Sequence, residues 1–152
     1  MKIQISTTLN CSPDRVWEEL QTSRLLSYIC YPLVVFVPVN PPSFLDRLSE
    51  RRYDVKIKLF GFIPFGRQAI VISVPAPYCL RDNGFGTLIS KWDHLITVKP
   101  SGSNKTIYTD SVEINAGFLT LLVWLYASIF YRYRQYRWRK LVASGFSCLP
   151  RV

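Results

Sequence analysis

Histidine occurs once in this chain, at His94, and the four cysteines (Cys11, Cys30, Cys79, Cys148) are scattered, with no Cys-x-x-Cys pair. That scarcity excludes any metal centre of recognisable ligand spacing, and no metal and no cofactor are expected. Free thiols packed as small hydrophobes are the expected state, which fits a reducing, cytoplasmic compartment. The first residues lack the pattern of a signal peptide: Met1-Lys2 leads directly into polar–apolar alternation rather than an apolar core. No recognised nucleic-acid motif, internal repeat, low-complexity segment or linker interrupts the chain. Acid is missing from the C-terminal stretch. After Glu113 there are six Lys and Arg and no Asp or Glu, whereas up to that point thirteen basic residues face ten acidic ones. The net charge of +9 is therefore mainly a property of the terminal segment. Such a patch suits phosphate groups, or is simply a solvated helix end with cations near the negative end of the helix dipole.

What is present is a core-sized supply of apolar side chains. At 152 residues, with 49% hydrophobic and 19% charged, the composition is that of a globular chain long enough to bury a core. One domain spanning 1–152 is expected, with residues 145–152 as a poorly ordered tail.

The patterns change along the chain. Ile3, Ile5, Thr7 and Leu9 alternate with Lys2, Gln4, Ser6 and Thr8, a half-buried strand. Ser12 and Pro13 then form a cap and first turn for a short helix with Val16, Trp17 and Leu20 on its buried stripe. A second short helix is predicted over Ser23–Ile29, ended by Pro32. The apolar run Pro32–Val39 carries prolines that confine it to an edge. Strands are predicted at Arg51–Phe60, Arg67–Val74, Tyr78–Arg81, Thr87–Ser90, Lys91–Lys99 and Thr106–Ile114. Asp82-Asn83-Gly84-Phe85-Gly86 and Pro100-Ser101-Gly102-Ser103-Asn104 are read as turns of an antiparallel meander.

Phe118–Ser144 reads as one long helix stopped by Gly145. Its first half is almost wholly apolar. Its second half interleaves Arg132, Arg134, Arg137, Arg139 and Lys140 with Tyr131, Tyr133, Tyr136 and Trp138. A helix apolar on all sides needs a protein groove or lipid around it. Ile114–Tyr131 carries no charge and sits at the length threshold for spanning a bilayer, about 18 residues, with cations flanking it. Asn115, Gly117, Thr120 and Ser128 dilute that run, and a curved sheet with one apolar face needs a cover. The pattern therefore predicts an α+β fold: a curved antiparallel sheet of six to seven strands wrapped around a long C-terminal helix, with two short helices after the first strand. Such a wrap leaves a cavity between sheet and helix.

Four segments carry a resemblance. They are Leu9-Asn10-Cys11-Ser12-Pro13-Asp14-Arg15-Val16-Trp17; Leu59-Phe60-Gly61-Phe62-Ile63-Pro64; Trp92-Asp93-His94 followed by Thr106–Glu113; and Tyr136-Arg137 with Leu141. In this order and spacing the chain resembles the START-like, helix-grip superfamily that includes polyketide cyclase/dehydrase relatives, and within it the small bacterial SRPBCC proteins. Arg134 and Trp138 stand where that family usually has phenylalanine and histidine, which makes this helix end more basic and aromatic. The resemblance implies a helix-grip domain whose members include both ligand carriers and enzymes.

On the strand through His94, Trp92, His94, Ile96 and Val98 share the apolar face. On the next strand Tyr108, Asp110, Val112 and Ile114 share one. A hairpin centred on Gly102 would place His94 directly opposite Asp110. Such a pair can orient a general base, or it can be a buried polar pair that satisfies itself. On the long helix, Leu119, Leu122, Val123, Tyr126, Phe130, Tyr133 and Arg137 follow a three-to-four spacing and are predicted to face the sheet. Core packing alone would explain that stripe; the resemblance implies instead a partly open pocket, expected to be lined by Trp92, Ile96, Tyr108, Val112, Leu122, Val123, Tyr126 and Phe130, with Tyr133 and Arg137 as polar contacts at one end. Arg137 is expected to be the most buried cation, and Arg132, Gln135 and Arg139 to form a solvent face. The leading function is binding of a hydrophobic small molecule or lipid. The alternatives are a cyclase- or hydrolase-type enzyme using His94 and Asp110, and a peripheral or anchored protein that touches anionic membrane through the basic helix end.

Overall fold

The structure is a computed structural model and describes residues 1–151; Val152, the end of the expected tail, lies outside the described residues. The elements run β1 (Lys2–Leu9), α1 (Pro13–Leu20), α2 (Ser23–Cys30), β2 (Val34–Asn40), β3 (Arg52–Leu59), β4 (Ile63–Ala76), β5 (Cys79–Gly86), β6 (Lys91–Pro100), β7 (Thr106–Asn115) and, after a short 3-10 turn, α3 (Thr120–Ala143). Seven strands form one antiparallel sheet in the order β1-β7-β6-β5-β4-β3-β2. The first two strands in sequence are thus the two edges in space, and the helices between them cross from one edge to the other.

Local chemistry sets each piece. Ile3 and Leu9 of β1 point inward while their polar neighbours point out. Ser12 accepts the Arg15 N–H, and Pro13 opens α1. Thr22 caps α2 by accepting from Leu25 N–H. Val16, Leu20, Leu25 and Ile29 close one end of the core. In the segment after α3, Leu149 is buried, and Arg15 stacks over Phe146 at 4.3 Å.

The sheet departs from the sequence reading in its middle. Asp82–Gly86 is not a turn. β5 runs unbroken through Cys79–Gly86, and the turn falls at residues 87–90. The glycines are there for close approach. A Cβ on Gly84 would meet the Ala69 carbonyl oxygen at 2.7 Å, and one on Gly86 would meet that of Arg67 at 2.3 Å. Gly66 likewise does not end a strand. It sits inside β4 at φ +96°, where the register against β3 shifts.

The long helix is not buried on all sides. Val123, Ala127, Phe130, Tyr131, Arg134, Gln135, Trp138 and Leu141 face the sheet, while Phe118 is 96% exposed and Leu121, Leu122, Leu125 and Ile129 are bare. The buried stripe is offset by about one residue from the predicted one, so Leu122 turns outward and Arg134 takes the inward place expected of Arg137. Gln135, predicted to share a solvent face with Arg132 and Arg139, is buried, because it lies next to Arg134 on the sheet-facing side. No helix among the described residues is long and apolar enough to cross a membrane.

Candidate functional site

A cavity of about 390 Å³ lies between the concave face of the sheet and the first half of α3. Its walls are aliphatic and aromatic. Of the predicted pocket residues, Trp92, Ile96, Leu122, Val123, Tyr126 and Phe130 line it, as does His94. Tyr108 and Val112 are packed in the core beside it without reaching it. Tyr133 and Arg137 belong elsewhere: Tyr133 donates its hydroxyl to the Tyr31 carbonyl at 2.9 Å, and Arg137 lies 3.9 Å over the Tyr28 ring and donates to the Tyr28 carbonyl. Leu122, mostly solvent-exposed, sits at the mouth with Phe60.

Apart from the Trp92, Tyr126 and Tyr131 rings, the polar side chains on the wall are few: Gln68, Asp82, His94 and Arg134. Behind them is a sealed network. His94 faces Val112 across β6 and β7, and Ile96 faces Asp110, so the predicted pairing is displaced by two residues. The period-two alternation keeps both side chains on one face, and the diagonal is short enough to bridge. His94 Nε2 and Asp110 Oδ1 meet at 2.8 Å. The Asp110 carboxylate also accepts from the Tyr108 hydroxyl at 3.2 Å and from Gln135 Nε2 at 3.1 Å, and Arg134 Nη2 stands 3.8 Å away. Gln135 donates to the Ile5 carbonyl at 2.7 Å as well, which ties α3 to β1.

The charges follow from this packing. Burial alone would raise Asp110, but the Arg134 charge and the hydrogen bonds from His94 and Gln135 outweigh it and hold the carboxyl below its ordinary range. Burial lowers His94, against the pull of Asp110, so the imidazole is neutral. A neutral ring that donates from Nε2 to a carboxylate has its acceptor at Nδ1. Among the described residues Nδ1 has no hydrogen-bond partner and is not sealed, and His94 lines the cavity. The arrangement can orient an imidazole toward a bound molecule. The ring beside that imidazole is Tyr131, with centroids 4.9 Å apart, and among the described residues no three His, Cys, Asp or Glu side chains group as metal ligands.

Asp82 escaped the sequence reading. It stands directly across from His94 on β5. The β4–β5 ladder opens between Ala69↔Phe85 and Ile72↔Asp82, and there Asp82 Oδ1 accepts the Val71 N–H at 2.8 Å. Desolvation pushes its carboxyl up to about 7, with the Val71 hydrogen bond and the Arg134 charge opposing. The signal that could have found it was the alternation Leu80, Asp82, Gly84. Those residues share one face if the glycines are read as close contacts rather than as a turn.

No family model and no curated protein matches the chain. Its backbone does superpose on solved structures over nearly its whole length. The Zhui aromatase/cyclase from a Streptomyces species gives a TM-score of 0.68 at 9% identity, covering 97% of this chain and 96% of that one. A START superfamily protein from Mycobacterium smegmatis gives 0.65 at 11% identity, covering 95% and 98%. A Chromobacterium violaceum protein gives 0.70 at 13% identity, covering 93% and 96%. The chain has the START-like helix-grip fold. At such identities the likeness of a helix-grip fold concerns the backbone, and function has to be argued from the site.

Proposed function

We propose that the protein acts as a single START-like domain and binds a hydrophobic small molecule or lipid in the cavity between its sheet and α3. The observation that carries this reading is a cavity of about 390 Å³ with mostly apolar walls and a small polar set that includes Gln68, Asp82, His94 and Arg134, the usual make-up of a small-molecule site. The buried free thiols Cys11 and Cys30 support a reducing compartment such as the cytoplasm. Nile red serves as a neutral apolar probe. It is expected to bind in the low-micromolar range, about −8 kcal/mol. Ala127→Trp places an indole in the cavity and is expected to abolish binding while circular dichroism stays native. No binding by the parent protein, or undiminished binding by the variant, would overturn the reading.

One observation favours a second activity at an anionic membrane surface. The exposed residues of α3 form one stripe, from Leu121, Leu122, Leu125 and Ile129 to Arg132, Tyr136 and Arg139, and the exposed Phe118 precedes its apolar end in the chain. An apolar face followed by cations suits the boundary of an anionic bilayer. Sedimentation with phosphatidylglycerol vesicles tests it. Equal pelleting with phosphatidylcholine vesicles, or none with either, would count against it.

A further inference from the structure

We infer that the polar wall of the cavity, Asp82 with His94, selects a ligand whose apolar body carries a protonated amine. The inference rests on the cavity-binding reading above and adds the class of head group.

The argument is one of unmatched acceptors and unmatched charge. Asp82 and His94 are cross-strand partners with side chains on the cavity face. His94 is 5% exposed and spends Nε2 on Asp110. Asp82 spends Oδ1 on Val71 N–H. Among the described residues the remaining atoms, His94 Nδ1 and Asp82 Oδ2, have no partner, and neither is sealed. Both are acceptors when the imidazole is neutral and the carboxyl is ionised. An ammonium group has three donors and no acceptor, so one head group between the two residues satisfies both.

The charges around Asp82 lead to the same class. From α3 it faces Arg134 and the Tyr131 ring. From β6 come His94 and, on the other face, Asp93, which is held by Arg81 at 2.8 Å. From β4 come Val71 N–H and Gln68. Arg134 is the one cation of this set facing the cavity, and Asp110, 3.8 Å away and sealed at 0% exposure, already balances it. Among the described residues Asp82 has no ion-pair partner. A desolvated carboxylate without a counter-ion takes up either a proton or a cation. A carboxylate ligand would put a second anion there and is excluded on the same ground. A neutral hydroxyl can meet His94 but leaves Asp82 without its counter-charge.

The test is competition against Nile red by naphthylethylamine, naphthylethanol and naphthylacetate, which share one ring system. At pH 8, where Asp82 is ionised, the amine is expected to bind about tenfold tighter than the alcohol, with the acid weakest. At pH 5 the amine's advantage is expected to shrink, because the Asp82 proton must then be displaced. Near pH 6.5, titration calorimetry in buffers of different ionisation heat is expected to show proton release on amine binding. Asp82→Asn keeps an acceptor for Val71, and is expected to bring amine and alcohol to within about twofold of each other. An amine no tighter than the alcohol at pH 8, including the case where neither displaces Nile red, overturns the inference. So does an amine preference that survives in Asp82→Asn. If Nile red itself fails to bind, the cavity reading falls and takes this inference with it; if Nile red binds and the preference is missing, only the inference falls.

Discussion

His94 and Asp110 sit on a diagonal of the β6–β7 ladder, not opposite one another, and their side chains still meet at 2.8 Å. The contact makes Asp110 the hub on which β6, β7 and α3 converge, with Tyr108, Gln135 and Arg134 around the same carboxylate. Removing the hub leaves several buried polar groups unmatched at once. Asp110→Ala is expected to cost about 3–5 kcal/mol in urea unfolding. A loss below about 1 kcal/mol would show that the network holds little of the fold.

Stability against pH should carry two opposite signatures. His94 and Asp110 have folded-state values below their ordinary ones, so the unfolded chain binds more protons than the native one as acid is added. Their contribution is present above about pH 6.5 and is lost as pH falls. Asp82 has a folded value raised to about 7, so it works the other way: its contribution is full below about pH 4 and is lost as pH rises toward 7. Asp82→Asn deletes that second limb. Denaturant midpoints measured from pH 4 to pH 8 are expected to show the variant gaining on the parent steadily as pH rises. Parallel curves would mean that Asp82 titrates normally.

The two inward-leaning arginines are not equivalent. Arg134 is buried against Asp110 and the Tyr108 hydroxyl, whereas Arg137 is half-buried on the Tyr28 ring. Arg134→Ala is expected to destabilise by about 3 kcal/mol or more, and Arg137→Ala by about 1 kcal/mol, the scale of a partly exposed cation–π contact. Thermal melts of the two variants side by side check the order. Equal losses would place the ion-pair centre wrongly.

Glycine substitutions separate contact from conformation. Gly86→Ala drives a methyl to 2.3 Å from a backbone oxygen and is expected to cost more than about 2 kcal/mol. At Gly102 nothing lies within 4 Å, and φ is +82°, so Gly102→Ala meets only backbone strain of about 1 kcal/mol. A reversed order in unfolding experiments would contradict the β4–β5 packing.

Arg132 and Arg139 are both exposed on α3. Replacing both with alanine is expected to leave the melting temperature within a degree or two while weakening binding to phosphatidylglycerol vesicles. Each exposed cation is worth about 1 kcal/mol at such a surface. Unchanged vesicle binding would leave these charges as a solubilising face only.

The architecture was legible because each element repeats a simple period: alternation in β1, β6 and β7, a Ser-Pro start for α1, and a long unbroken run for α3. The failures share one cause, which is that sequence shows spacing but not the partner. Gly84 and Gly86 look like a turn until the neighbouring carbonyls are in view, and that reading hid Asp82. His94 and Asp110 could be assigned to one face, but their register depends on which residues of the hairpin turn are unpaired. On α3, aromatics and arginines alternate so densely that several stripes fit equally well. Tertiary contacts chose the one that buries Arg134 and Gln135.

Gln135 bonds β1 and Asp110 from the second half of α3, and Trp138 and Leu141 close that end of the core. The first half has fewer ties: Trp124 donates to the Lys2 carbonyl and Tyr126 to that of Leu33, while its outer flank is bare. To exchanging solvent, then, this one helix is expected to behave as two, with amides from Gln135 to Leu141 exchanging more slowly than those before Arg134. On the proposed reading, a guest would enter past Leu122 through a door that swings on a fixed post, without the domain having to melt.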